Sequence, residues 1–122
     1  LSNWGILKNS LDRGIKGEAA AASFLRANGY KLVEKNYRWG GGEIDIIARD
    51  GETLVFIEVK LRTSHAYGLP EETLIPSKRA KLLRTAQRYL LEHPTNLDLR
   101  FDVVAISKGK ARLIKNAFSL EE

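Results

Sequence analysis

Residues 43–61 read EIDIIARDGETLVFIEVKL. Two runs rich in Ile, Val, Leu and Phe flank Asp50-Gly51, a dipeptide favoured in two-residue hairpin loops. The stretch therefore predicts two antiparallel strands. Its second run, LVFIEVKL over 54–61, sets one acid and one base among six apolar side chains. Breaking a buried ion pair costs roughly 3–5 kcal/mol, so Glu58 and Lys60 need either each other or some other compensating charge.

With Asp50 and Gly51 at the turn centre, the register sets Arg49 opposite Glu52, Ile47 opposite Leu54, Asp45 opposite Phe56 and Glu43 opposite Glu58. Side chains alternate between faces, so Asp45, Glu58 and Lys60 emerge on one face with Asp45 diagonal to Glu58. Diagonal neighbours lie about 7–8 Å apart, within reach of a shared divalent cation. A slip of one residue would put the two carboxylates on opposite faces. Glu43 facing Glu58 is a like-charge pair that calls for a cation or a bulge.

Working outward, SLDRGIKGEAAAASFLRANG (10–29) predicts a helix that stops at Gly29, and YKLVEKNYR (30–38) a first strand. TSHAYGLPEE (63–72) reads as a loop. PSKRAKLLRTAQRYLLEH (76–93) reads as a second helix, with Pro76 suited to its first turn and Pro94 ending it. DLRFDVVAIS (98–107) is a strand, turned at Lys108-Gly109 into KARLIKNAF (110–118). The order is αβββαβ with one further strand. A meander of three strands followed by a crossover helix and a parallel fourth strand defines a mixed α/β domain. One domain suits the 122 residues.

On the first helix, Leu11, Ile15, Glu18, Ala22 and Leu25 form one stripe, and Glu18 is the acid within it. It is expected to point at the sheet. Each charge has an ordinary explanation: Glu58 and Lys60 can neutralise one another, and Glu18 can favour a helix N-terminus. Taken together, three acids and a lysine match a metal-dependent phosphodiester hydrolase, in which carboxylates hold Mg²⁺ and a lysine stabilises developing negative charge.

Asp45 followed by Glu58-Val59-Lys60 resembles the D…(D/E)xK signature of the PD-(D/E)xK nuclease superfamily, whose restriction-endonuclease-like core has the same αβββαβ order. More closely, GEAAAASFLRANGY, NYRWGGGEIDIIARDGETLVFIEVKLR, YGLPEE, SKRAKL and RFDVVAI resemble, in order, the YraN family of small bacterial proteins related to Holliday-junction resolvases. The resemblance runs from about Gly14 to the last strand. It implies a Mg²⁺- or Mn²⁺-dependent endonuclease acting on DNA, including branched DNA, with RNA an open alternative and a homodimer as the related assembly. It implies that Asp45 and Glu58 are metal ligands, that the Val59 carbonyl is another, that Lys60 is the catalytic lysine, and that Glu18 matches the helix-one acid. Glu43 belongs to the family's GEID string, with no metal role assigned. Where the family often has basic residues before that string, this chain has Gly40-Gly41-Gly42, whose bare N–H groups could still approach a phosphate.

Twenty Lys and Arg against fifteen Asp and Glu give a net charge of +5, which favours an anionic partner. Arg62 and the helical stripe Lys78, Lys81, Arg84 and Arg88 are the candidate phosphate contacts, a solvated helix face being the alternative. Trp39 and Tyr67, both expected in loops, could stack on bases or simply pack. Asp102 reads as a structural ion-pair residue, and His65 and His93 carry no ligand-like spacing. The rival function is a non-catalytic nucleic-acid-binding protein on the same fold; a protein-interaction module is a weaker third. Cys is absent, which rules out disulfides and thiolate metal sites and fits a reducing cytoplasm. No secretion signal is expected, and no apolar run nears the ~20 residues that span a membrane. Phosphate-loop, dinucleotide and nucleophile-elbow motifs have no match.

Overall fold

The computed structural model describes residues 17–62 and 76–118. Helix α1 is described over 17–27. After it come β1 (Lys31–Trp39), β2 (Gly42–Asp50), β3 (Thr53–Arg62), α2 (Pro76–Glu92), β4 (Asp98–Ser107) and β5 (Lys110–Phe118). The strands form one sheet in the order β1-β2-β3-β4-β5. The pair β3–β4 is parallel and the other three are antiparallel, as the crossover argument requires. This mixed α/β arrangement is consistent with a restriction-endonuclease-like core. Among the described residues no helix is long and apolar enough to cross a membrane. The segment 63–72, with His65 and Tyr67, lies outside the described residues, as do Leu11 and Ile15.

Alternation along β3 sorts the core into two layers. Val55 and Ile57 join Ala21, Ala22 and Leu25 of α1, whereas Leu54 and Phe56 join Leu82, Ala86 and Tyr89 of α2. Helix α1 ends as its sequence predicts: Gly29 N–H donates to the Arg26 carbonyl and Tyr30 N–H to the Leu25 carbonyl, both at 3.0 Å. That is the Schellman pattern, with Tyr30 packed in the same core layer as Leu25.

The β2–β3 turn corrects the sequence reading. Its central residues are Gly51 and Glu52, not Asp50 and Gly51, because Asp50 pairs with Thr53, Arg49 with Leu54 and Ile47 with Phe56. Only Gly51 of this turn has a positive φ, 61°. A turn with glycine at the first central position is of the II′ kind, whereas Asp50-Gly51 at the centre would have made a I′ turn. The difference moves every partner by two residues, which by itself preserves alternation. Alternation in β2 nevertheless breaks at Asp45: Ile44 packs in the α2 layer and Ile46 in the α1 layer, so the common face expected for Asp45, Glu58 and Lys60 does not follow from the register. Trp39, expected in a loop, is instead the last residue of β1 and pairs with Gly42 across Gly40-Gly41.

Asp102 forms a buried hub on the α1 side of the sheet. It accepts from Tyr30 Oη at 2.8 Å, from Arg100 at 2.8 and 2.9 Å, and from Asn116 N–H at 2.9 Å. Arg100 also reaches Asp50 at 2.8 Å. This fully partnered carboxylate is the structural ion-pair residue the sequence suggests.

Helix α2 sits directly on the start of β2. A Cβ built on Gly42 would lie 2.1 Å from Thr85 Oγ1, far inside contact distance. Gly42→Ala should therefore destabilise by about 1–3 kcal/mol through overpacking. Adding Thr85→Ala should recover most of that loss, as read by denaturant unfolding of the single and double variants; additive losses would mean that the contact does not set the helix position.

Candidate metal centre

The site begins where the sheet comes apart. The β2–β3 ladder ends at the pair Ile46–Ile57. One step further, Val59 N–H donates to the Asp45 carboxylate at 2.7 Å. A side chain thus replaces the strand partner of a part-buried backbone donor, which would otherwise be costly to leave unpaired. The contact fixes Asp45 at the mouth of the split.

Helix α1 reaches the same place through a close approach. A Cβ on Gly17 would lie 2.5 Å from Leu61 Cδ1, so the start of the described helix rests on the end of β3. The next residue, Glu18, contributes a carboxylate oxygen to a group with Glu43 and Asp45 in which all three oxygens lie within 4.8 Å of one another. Oxygens around Mg²⁺ at about 2.0–2.1 Å are at most about 4 Å apart, so closing this group on a cation needs a movement of under about 1 Å. An all-carboxylate donor set suits Mg²⁺ or Mn²⁺. The residues fit such an ion.

The structure brings together more than the sequence assigned. Glu43 joins the acid group and is also paired with Arg38. With its amide turned so that the nitrogen faces Glu18, the orientation in which both groups are satisfied, Asn36 donates to both Glu18 oxygens at 3.2 Å. Asn36 has φ 54°, a left-handed conformation that Asn tolerates better than most residues, and the β1–β2 ladder skips it and Asp45 opposite, between the pairs Lys35–Ile46 and Tyr37–Ile44. No alternation pattern signals such a residue; an Asn inside a predicted strand is the nearest hint.

Glu58 behaves differently. It lines the same open cleft, of about 440 Å³, together with Gly42, Glu43 and Asp45 from β2 and Lys78 and Lys81 from α2. Yet Glu58 is outside the three-acid group. Its Oε1 lies 3.0 Å from Lys78 Nζ and 3.6 Å from Lys60 Nζ. Mutual neutralisation of Glu58 and Lys60 is therefore present, reinforced by a second lysine. Of the expected phosphate contacts, Lys78 and Lys81 face the cleft and Arg84 is exposed beyond them. Arg88 turns instead to Trp39, 5.6 Å from its ring centroid, and to Glu92 at 3.4 Å. Arg62 is the last residue of β3.

Burial first, and then the negative charge of Glu58, push the Asp45 carboxyl up from 3.8 to about 7, against the Val59 N–H, which favours the anion. Burial and the neighbouring Lys78 lower the Lys60 ammonium, although Glu58 opposes them. For Lys78 burial also works against the charge, but hydrogen bonding to Lys60 and Glu58 outweighs it and raises the group.

A five-stranded mixed sheet with two described helices, split at one end around clustered carboxylates, is an α/β domain consistent with a restriction-endonuclease-like core, with a candidate metal site. The chain belongs to the uncharacterised protein family UPF0102, whose family profile matches residues 17–106; this is the family of the YraN proteins that the sequence resembles. A UPF0102 protein of Lachnoclostridium phytofermentans is 45% identical over 112 residues, covering 90% of this chain and 95% of the relative. One from Persephonella marina is 43% identical over 110 residues, covering 89% and 95%. One from Beutenbergia cavernae is 48% identical over 99 residues, covering 80% and 84%. A solved structure, the crystal structure of SSO0001, matches with a TM-score of 0.45 and 22% identity, over 88% of this chain and 52% of that one. At that distance the likeness says nothing about chemistry.

The raised Asp45 carboxyl has a consequence for stability. A folded-state value above the unfolded one stabilises below about pH 3.8, and that contribution is lost as pH rises through about 7. A tenfold change in proton affinity is worth about 1.4 kcal/mol, so in chelator at pH 8 Asp45→Asn should be more stable than the parent by about 1 kcal/mol or more. The gap should close on acidification toward pH 4. Thermal melts across that range check it; a parent more stable than the variant at pH 8 would contradict the assignment.

Proposed function

We propose that this protein is a Mg²⁺- or Mn²⁺-dependent endonuclease that hydrolyses phosphodiester bonds in DNA, branched DNA included, in the bacterial cytoplasm. The observation that carries the reading is the Asp45 carboxylate, held by Val59 N–H at the split of the sheet, beside Glu18 and Glu43 and facing Lys78 and Lys81 across the cleft. A purely structural role does not require carboxylates to gather where the backbone ladder has opened.

Asp45, the Val59 carbonyl and Glu58 would hold the ion as the resemblance implies, with Glu18 and Glu43 near enough to complete or orient the set. A bound metal lowers the pKa of water and offsets charge on the phosphate. The rest is the work of the chain. Lys78 and Lys81 draw the phosphate backbone into the cleft. Lys60, half-desolvated behind Glu58, supplies fixed positive charge where negative charge develops. Glu18 of helix α1 stands beside Glu43 and Asp45, where Asn36 of β1 can support it.

A second reading, non-catalytic nucleic-acid binding, is favoured by one observation: Glu58 is already neutralised by two lysines. Metal melts and cleavage assays separate the two. On the enzymatic reading, Asp45→Asn, Glu58→Gln and Lys60→Ala each lower divalent-dependent cleavage of duplex, single-stranded or four-way-junction DNA by roughly a hundredfold or more. Mg²⁺ or Mn²⁺ should also stabilise the parent, by about 2.7 kcal/mol at a hundred times Kd, and Glu58→Gln should erase most of that rise. Full cleavage by a well-folded Glu58→Gln variant would overturn the enzymatic reading.

A further inference from the structure

Among the described residues, Trp39 is the large aromatic that the core does not use. It belongs to neither hydrophobic cluster and is 46% exposed at the end of β1. Its placement is nonetheless fixed. Trp39 pairs with Gly42 across the turn, and residues directly opposite one another project to the same face. A side chain on Gly42 would strike Thr85, so that face looks at α2. Trp39 accordingly lies beside the next turn of that helix, where the Arg88 guanidinium covers part of its ring at 5.6 Å. Glu92, 3.4 Å from Arg88, offsets the guanidinium charge, so the features left open at this end of the helix are the aromatic ring and the exposed Leu91.

The surroundings point to what the ring receives. Its partner Gly42 lines the acidic cleft, and α2 runs from Lys78 at Glu58, past Lys81 at the rim, to Arg88 at Trp39. Ten helical residues separate Lys78 from Arg88, about 15 Å of axis. A nucleic-acid strand stacked at about 3.4 Å per nucleotide covers that distance in roughly four nucleotides. Cations leading from an open acidic cleft to an aromatic face suit an anionic polymer with flat bases better than an apolar protein surface.

We infer that Trp39 is a stacking platform for an unpaired nucleobase, about four nucleotides along a strand whose backbone enters the acidic cleft. The inference rests on the proposed nucleic-acid substrate and narrows it. A base inside continuous duplex has both faces covered by its neighbours. The platform therefore selects substrates with single-stranded or unpaired nucleotides beside the site, with little regard to sequence, because every base has a stacking face.

The test reads binding in chelator, where no cleavage enters. The chain has two tryptophans, so Trp4→Phe leaves Trp39 as the sole one. Oligothymidylate should quench its emission, and a closed DNA hairpin without unpaired bases outside its capped loop should quench it far less. Trp39→Ala should weaken oligothymidylate binding by roughly 5- to 100-fold, Trp39→Phe should retain most of the affinity, and hairpin-duplex binding should stay the same. Unquenched emission with the oligonucleotide bound, equal quenching by the closed duplex, or unchanged affinity in Trp39→Ala would each overturn the platform. Quenching in a protein that never cleaves would keep the platform and remove the nuclease. Cleavage without quenching would do the opposite, and failure to bind any oligonucleotide would overturn both.

Discussion

The Asp45–Val59 hydrogen bond is the contact on which the site depends. In an uninterrupted hairpin the β2–β3 ladder would continue past Ile46 and Ile57. A carboxylate takes the next donor, at 2.7 Å, and the strands separate around it. The arrangement satisfies the backbone while opening a cleft at the sheet's end. It also places a carboxylate in a half-buried position beside Glu58, which is why its proton is held up to about 7. The same surroundings that disfavour the bare anion favour a cation that would share it.

Two charge systems among the described residues show what this costs. Around Asp102 the carboxylate accepts from Tyr30, Arg100 and Asn116, and Arg100 links the hub to Asp50. Such a network holds β2, β4, β5 and the α1–β1 junction together and requires no further ligand. At the cleft, Glu18, Glu43 and Asp45 crowd one another, with Asn36, Arg38 and a backbone N–H in compensation. Glu58, the fourth acid, is neutralised by Lys60 and Lys78. The imbalance is local, and it sits where Gly42 and Gly17 let both helices press against the sheet.

Much of this is legible in the residues. Periodicity and punctuation place all five strands and both helices, because β-branched runs and Ala- or Leu-rich stretches are local signals. The hairpin centre is displaced from its expected position because Asp50-Gly51 suits a I′ turn, while the backbone uses Gly51 in a II′ turn. A two-residue shift preserves alternation, but β2 loses alternation at Asp45, between Ile44 of one core layer and Ile46 of the other, so the face of that carboxylate is not read from the sequence. Glu43 and Asn36 are not legible as site residues, since their roles arise from a strand distortion and from an approach between α1 and β2. Lys78 reads as a phosphate contact, but its contact with Glu58 depends on where the crossover helix lands. Trp39 reads as a loop residue, although Gly40-Gly41 is itself a hairpin signal that would place it on a strand.

The central claim is that the split hairpin is a metal centre built on Asp45. It is tested most directly by anomalous diffraction from crystals soaked in Mn²⁺, with data collected at the manganese edge. A metal centre predicts a peak in the cleft within about 2.0–2.4 Å of an Asp45 oxygen, with at least one of Glu18, Glu43 and Glu58 as a further ligand. If Glu58 is that ligand, Lys78 should have moved off it. A cleft without manganese at millimolar concentrations, with Lys78 still on Glu58, would contradict it.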